Sequence, residues 1–212
     1  MSLKQELSDF AEQMSKQAPS EVLQTMGGEI GKLAQSGIIE GAKTVADKAP
    51  NFILENSDGE RVSLHDLIEK GNVVLSFNRG NWCPFCNMEF NALQESVTEI
   101  KNAGANLVVI SPQLPIMSRE LKLKNGFDYD ILYDKGNEVA KQFGIAFALP
   151  EPLRPIHEAF GMDIPAHNGD ISFELPLAAT YIINKSGEIT YAYLNANWME
   201  RAEPEDFIGS IN

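Results

Sequence analysis

Between Asn72 and Ile110 the chain reads strand, loop, helix, strand, an order that admits few topologies. "NVVLSFN" (72–78) is a β-branched and aromatic run with the length of a buried strand. Phe90, Leu93, Val97 and Ile100 then keep helical spacing up to about Asn102, before Gly104. "NLVVI" (106–110) is a second short buried strand. Two strands joined through a helix of this length pair in parallel by a right-handed crossover. Pro84 falls at the helix start, a position that tolerates its missing N–H. The joint between first strand and helix, "RGNWCPFCNME" (79–89), holds both cysteines of the chain, Cys83 and Cys86.

Flanking segments extend the alternation. Phe52–Leu54 and Glu60–Val62 read as short strands across the turn signal "NSDG", and Ser63 caps a short helix ended by Gly71. A helix near 116–125, a strand at 130–133 and a helix near 136–143 follow. Residues 144–177 contain five of the eleven prolines and read as a long ordered loop with one short helix. "ATYIINKSGEITYAYLN" (179–195) is a hairpin around "NKSG", and a last helix covers about 204–210. The pattern predicts an α/β three-layer domain over 47–212, with the cysteines at the C-terminal edge of a central strand, where sites form in open sheets.

Residues 1–46 read as a helical extension too small to be a domain. Leu3, Leu7, Phe10 and Met14 give its first helix one apolar face. A second helix, roughly Ser20–Gln35 with Ser20 as cap, is weakened by Gly27, Gly28, Gly31 and Gly37, so short helices are expected. The apolar face is expected to bury on its own domain, with a homodimer as the other way to cover it.

Composition excludes several partners. Hydrophobic residues make up 43% and charged residues 22%, as in a soluble globular protein. A net charge of −13 repels a phosphate backbone, so no nucleic acid is expected. No apolar run approaches the ~18 residues of a membrane span. The first residues lack the apolar core of a signal peptide, so no membrane partner and a cytoplasmic location are expected.

The cysteine spacing carries chemistry. A Cys83–Cys86 disulfide closes too small a loop to restrain the chain, so stability is a poor reason for the pair. A thiol at a helix N-terminus faces unpaired N–H groups and the positive dipole end, which favours its thiolate. Three residues apart at a helix start, the sulfurs reach bonding distance with little backbone movement, which suits a reversible disulfide. Arg79 adds positive charge close by in sequence. Packing as small hydrophobes is the bland alternative. A zinc site needs about four ligands, and His65, His157 and His167 are scattered with no second CxxC. The histidines therefore read as surface or loop residues and Trp82 as packing; no metal and no cofactor are expected.

On these residues, "VVLSFNRGNWCPFCNMEFNALQ" resembles the redox-centre segment of peroxiredoxin-like proteins of the alkyl hydroperoxide reductase / thiol-specific antioxidant family. "VVISPQLP", "LYDKGNEVAKQFGIAF", "NGDISFELPLAATYIINKSGEI" and "ERAEP" extend the likeness over about residues 48–206. The resemblance implies a thioredoxin-like, peroxiredoxin-type sandwich with a mixed central sheet. It also implies an oxidoreductase that reduces hydroperoxides through Cys83 and Cys86 and is reset by a thioredoxin- or glutathione-type donor.

In the family's Thr-x-x-Cys-x-x-Glu motif the attacking cysteine falls on Cys86 and the glutamate on Glu89, with Cys83 in the threonine slot and left to resolve. "WCPFC" also resembles thioredoxin-like reductases, whose first cysteine attacks, and that register names Cys83. The family's peroxide-polarising arginine would fall near Ala178, where it is absent; the reductases' cis-proline is absent there too, Pro176 lying two residues earlier. Arg79 or Arg154 could replace the arginine only if the fold brings one close. A thiol–disulfide reductase, or a non-catalytic redox sensor or partner-binding module, is the alternative.

Overall fold

The computed structural model describes residues 1–211. Among them the strands are β1 (Ile53–Asn56), β2 (Arg61–Ser63), β3 (Asn72–Phe77), β4 (Ala105–Ser111), β5 (Asp130–Tyr133), β6 (Ala146–Ala148), β7 (Glu174–Pro176), β8 (Ala178–Ile183) and β9 (Ile189–Asn195). Seven form the main sheet in the order β2-β1-β5-β4-β3-β8-β9. β3, β4 and β5 run parallel, while β8 and β9 on one side and β1 and β2 on the other run antiparallel. The sheet is mixed, as expected.

The helices are α1 (Leu3–Gln17), α2 (Ser20–Ala34), α3 (Ile38–Gly41), α4 (Leu64–Lys70), α5 (Pro84–Asn102), α6 (Pro115–Asn125), α7 (Glu138–Gln142), α8 (Arg154–Ala159), α9 (Ile164–Asn168) and α10 (Pro204–Ile208). Strand alternation divides them into layers. Val74 on β3 faces a core with Phe90, Leu93, Val97 and Ile100 of α5, whereas Val73, Leu75 and Phe77 face a second core with Val139 and Ala140 of α7. Every apolar residue of β3 is buried, which explains its unbroken hydrophobic run.

The N-terminal helices are part of this packing. Leu3 and Leu7 are buried in the α5 core, and Phe10 meets the Phe85 ring edge-on at 5.2 Å. Glu203 accepts from the free N–H groups of Leu3 and Lys4 at 3.1 and 2.8 Å, fastening the start of α1 to the start of α10. The apolar face that could have sought a second copy is thus used within the chain.

Three expectations change. Pro19 rather than Ser20 holds the N-cap position of α2, with no side-chain cap, and the helix runs 15 residues straight through Gly27, Gly28 and Gly31. Burial of Met26, with Leu33 packed on the second core, outweighs the propensity cost of glycines that face open space. Residues 144–177 are not one loop with one helix: β6 and β7 pair antiparallel from Ala146↔Pro176 to Ala148↔Glu174, and two helices, α8 and α9, lie between them. Ser63 does cap α4, accepting from Asp66 N at 3.0 Å, and Pro84 does open α5.

Candidate active site

β3 ends at Phe77 and α5 begins at Pro84; the six residues between bring Arg79 and Cys83 to the site, and the first turns of α5 add Cys86 and Glu89. Asn78 folds back, its Oδ1 accepting from Gly80 N at 2.9 Å. Gly80 adopts φ +129, and a Cβ there would lie 2.7 Å from Trp82 Nε1 and 3.0 Å from Gln113 Oε1, so only glycine lets the Trp82 ring fold over the turn. Gln113, wholly buried after β4, accepts from Asn81 N at 2.7 Å and ties the loop to the sheet. Cys83 is then the N-cap of α5, and its carbonyl accepts from Cys86 N and Asn87 N.

Both cysteines are reduced and buried, Cys83 at 2% exposure and Cys86 at 0%. A helix start suggests an exposed Cys83; instead α1, α2 and α8 close over it. Met14, Met26, His157 and Trp198 join Arg79 and Cys83 around a narrow cleft of about 40 Å³. Cys86 does not line it. A wider cavity of about 570 Å³ between α1 and β9 reaches Arg201 but neither sulfur, so its size does not make it the reacting site.

Each sulfur has its own arginine. Arg79, also buried, donates from Nη2 to Cys83 Sγ at 2.9 Å. Its guanidinium lies over the rings of Trp82 and Trp198, 5.3 and 5.4 Å from their centroids, an attraction of cation for π-face that fixes its plane. Arg79 Nε and Nη1 have no acceptor among the described residues. Arg201, from the segment after β9, donates from Nη2 to Cys86 Sγ at 3.3 Å and from Nε to Glu89 Oε2 at 2.6 Å. Glu89, one turn along α5 from Cys86, also accepts from Ser76 Oγ at 2.9 Å and Asn78 Nδ2 at 3.2 Å.

These contacts separate the two thiols. Burial alone would push Cys83 up, but the Cys86 S–H donating to it and the charges of Arg79 and Arg201 outweigh burial and hold it well below the ordinary thiol value. Cys86 moves the opposite way, pushed well up by burial, by the hydrogen bond it gives and by the negative charge on Cys83. Glu89 is pushed up by burial against the pull of Arg201. The contacts thus drive the two thiols apart, Cys83 toward the thiolate and Cys86 toward the thiol.

Of the candidates flagged by sequence, Cys83, Cys86, Glu89 and Arg79 come together. Arg154 does not: it stacks on Phe173 at 4.4 Å and donates to Leu149 O. Ala178 is buried at the start of β8 and Pro176 is committed to the β6–β7 pair. The arginine absent at Ala178 has two counterparts here, Arg79 on Cys83 and Arg201 on Cys86, and the second was not singled out from sequence although it lies in "ERAEP". His157 is a correction too, since it is buried on α8 rather than a surface residue, while His65 is exposed and His167 half-buried. Its Nδ1–H donates to Leu153 O at 2.9 Å, and burial, followed by the Arg79 charge, pulls its imidazole down to about 4 against that bond.

A model of the AhpC/TSA family matches residues 45–192, well over half of the chain. Chloroplastic peroxiredoxin Q of Oryza sativa subsp. japonica is 31% identical over 173 residues, covering 81% of this chain and 66% of the relative. The chain thus spans just under two thirds of that protein's length. The thiol-disulfide oxidoreductase ResA of Halalkalibacterium halodurans is 28% identical over 130 residues, 61% of this chain and 71% of the relative. Among solved structures, peroxidoxin BcpB from Mycobacterium tuberculosis superposes with a TM-score of 0.64 at 21% identity, covering 79% of this chain and 96% of that one. At that identity the superposition speaks for the fold, a peroxiredoxin-type thioredoxin-like sandwich. The chain is a member of the AhpC/TSA family.

Proposed function

We propose that this chain is a thiol peroxidase that reduces hydroperoxides with Cys83 as the attacking thiolate and Cys86 as the resolving thiol. The observation that carries it is Arg79, buried on Cys83 Sγ at 2.9 Å with two further donors unspent at a cleft that Cys86 does not reach. Cleaving O–O puts negative charge on the departing oxygen, and fixed donors in a water-poor cleft stabilise it. The sulfur lone pair attacks the terminal oxygen, S–O forms as O–O breaks, and the alkoxide takes the peroxide's own proton. An alcohol leaves and Cys83 becomes a sulfenate. The Cys86 thiol then attacks that sulfur, forming the disulfide and releasing hydroxide. This order is the reverse of the one the family motif implies.

No cysteine besides these two exists in the chain, so an external thiol donor of the thioredoxin or glutathione type resets the pair by exchange. We propose the cytoplasm as the location, since those donors keep thiols reduced there. One observation favours a second reading: a buried first-cysteine thiolate in "WCPFC" at the start of α5 also suits thiol–disulfide exchange. A coupled assay decides between them. The expected result is sustained donor consumption with cumene hydroperoxide at a kcat/KM far above that for a protein disulfide. A preference for the disulfide supports the reductase, and a single oxidation without turnover supports a sensor.

A further inference from the structure

The cleft beside Cys83 holds hydrogen-bond donors in Arg79 Nε and Nη1, but a hydroperoxide is itself a donor through its O–H. Binding one in a fixed orientation needs an acceptor as well. The carboxylate nearest the pair, Glu89, is already engaged by Arg201, Ser76 and Asn78 beside Cys86. Most of the rest of the cleft wall is apolar: Met14, Met26, Phe85, Ile156, Phe160 and Met162.

His157 is the exception. It lines the same cleft, with its ring 5.8 Å from that of Trp82, which in turn stacks on Arg79. Its Nδ1 faces the Leu153 carbonyl, which can only accept, so Nδ1 carries the ring proton and Nε2 is the acceptor. No hydrogen bond occupies Nε2 among the described residues. Burial and the neighbouring Arg79 keep the ring uncharged at neutral pH, which preserves that lone pair. His157 also lines the adjoining cavity of about 430 Å³ under α8 and α9, so the ring stands between the cleft and open space.

We propose that His157 is a catalytic residue: its Nε2 accepts the hydroperoxide O–H while Arg79 donates to the oxygen that departs. The inference rests on Cys83 being the attacking thiol. With His157 accepting and Arg79 donating, the terminal oxygen meets Cys83 and the alkyl-bearing oxygen meets Arg79. As S–O forms and O–O breaks, Nε2 takes the proton from the attacked oxygen and returns it to the alkoxide. The sulfur is oxidised by two electrons, the peroxide becomes an alcohol, and the imidazole is regenerated.

The test uses the full chain and two rates at Cys83. One is oxidation by cumene hydroperoxide, followed by the fluorescence of Trp82 and Trp198. The other is alkylation by iodoacetamide, which needs the thiolate and access but no acceptor for a peroxide proton. His157→Phe keeps the ring volume against Trp82 and removes the acceptor. The expected result is oxidation slowed about 10²-fold, the lower end for a lost acid–base group, with alkylation within twofold of the parent. His157→Gln, which restores an acceptor oxygen, is expected to recover part of the loss. Oxidation unchanged in His157→Phe overturns the assignment, and so does a parallel fall in both rates, which marks a packing role. Should His157→Phe fail to fold, the same two rates in His157→Leu decide the matter in the same way. A parent protein inert to hydroperoxide overturns the peroxidase reading with it, whereas a reactive parent and an equally reactive variant remove His157 alone.

Discussion

Arg79→Leu is expected to slow the reaction of Cys83 with hydroperoxide by about 10²–10³-fold, the usual cost of losing a donor aimed at developing negative charge. The same substitution moves the pH midpoint of Cys83 alkylation upward. The sign follows from the contacts: burial opposes the thiolate, and Arg79 is one of the groups that overcome it. With Arg79 gone, only the Cys86 hydrogen bonds and the Arg201 charge oppose burial, and the thiolate fraction at neutral pH falls. The fold is expected to survive, because leucine is apolar and its site is walled by Trp82 and Trp198. Arg79→Lys keeps the charge but loses the planar fork that both indole faces hold, so it is expected to keep much of the alkylation midpoint and little of the peroxide rate. Rapid-mixing kinetics with cumene hydroperoxide, beside iodoacetamide alkylation across pH, measure both effects. An Arg79→Leu protein that reacts at the parent rate removes Arg79 from the chemistry.

Glu89→Gln is expected to destabilise the protein by about 3–5 kcal/mol, since it leaves Arg201 charged and buried without its partner. That is a large share of a typical domain's roughly 5–15 kcal/mol. The pair's side chains are only 1% and 3% exposed, so solvent cannot take over the lost contact. Replacing both members, as in Glu89→Leu with Arg201→Met, is expected to recover most of the stability, because no uncompensated charge stays behind. It should not recover function, because Arg201 also donates to Cys86. Urea unfolding midpoints at constant slope give the comparison. A Glu89→Gln loss below about 1 kcal/mol, the range of exposed pairs, contradicts the reading of a buried charge pair.

Local residues made much of this legible. The hydrophobic run of β3, the Pro84 start and the 3–4 spacing of α5 place a CxxC at a strand-to-helix joint without tertiary information. What resisted reading depends on contacts distant in sequence. Arg201 meets Glu89 across 112 residues, and nothing local in "ERAEP" marks a buried guanidinium. β6 and β7 have three residues each, too few to show alternation, and they find each other only across the α8–α9 excursion. Cys83 read as exposed because a helix N-terminus usually is; the helices that cover it come from the first 34 residues and from α8. His157 follows the same logic, since its burial is decided by Trp82 and the Cys83 cleft rather than by its proline-rich neighbours.

Which thiol attacks first decides the roles of Arg79, Cys86 and His157 together. Cys83→Ser and Cys86→Ser, each given a brief pulse of hydroperoxide and then a sulfenic-acid trap, report it directly by peptide mass spectrometry. With Cys83 as the attacking thiolate, Cys86→Ser forms a trappable sulfenic acid on Cys83 and over-oxidises readily without its resolving partner, while Cys83→Ser leaves Cys86 nearly inert. Rapid sulfenic acid on Cys86 in Cys83→Ser, with Cys83 silent in Cys86→Ser, would contradict that assignment and restore the order that the family motif implies.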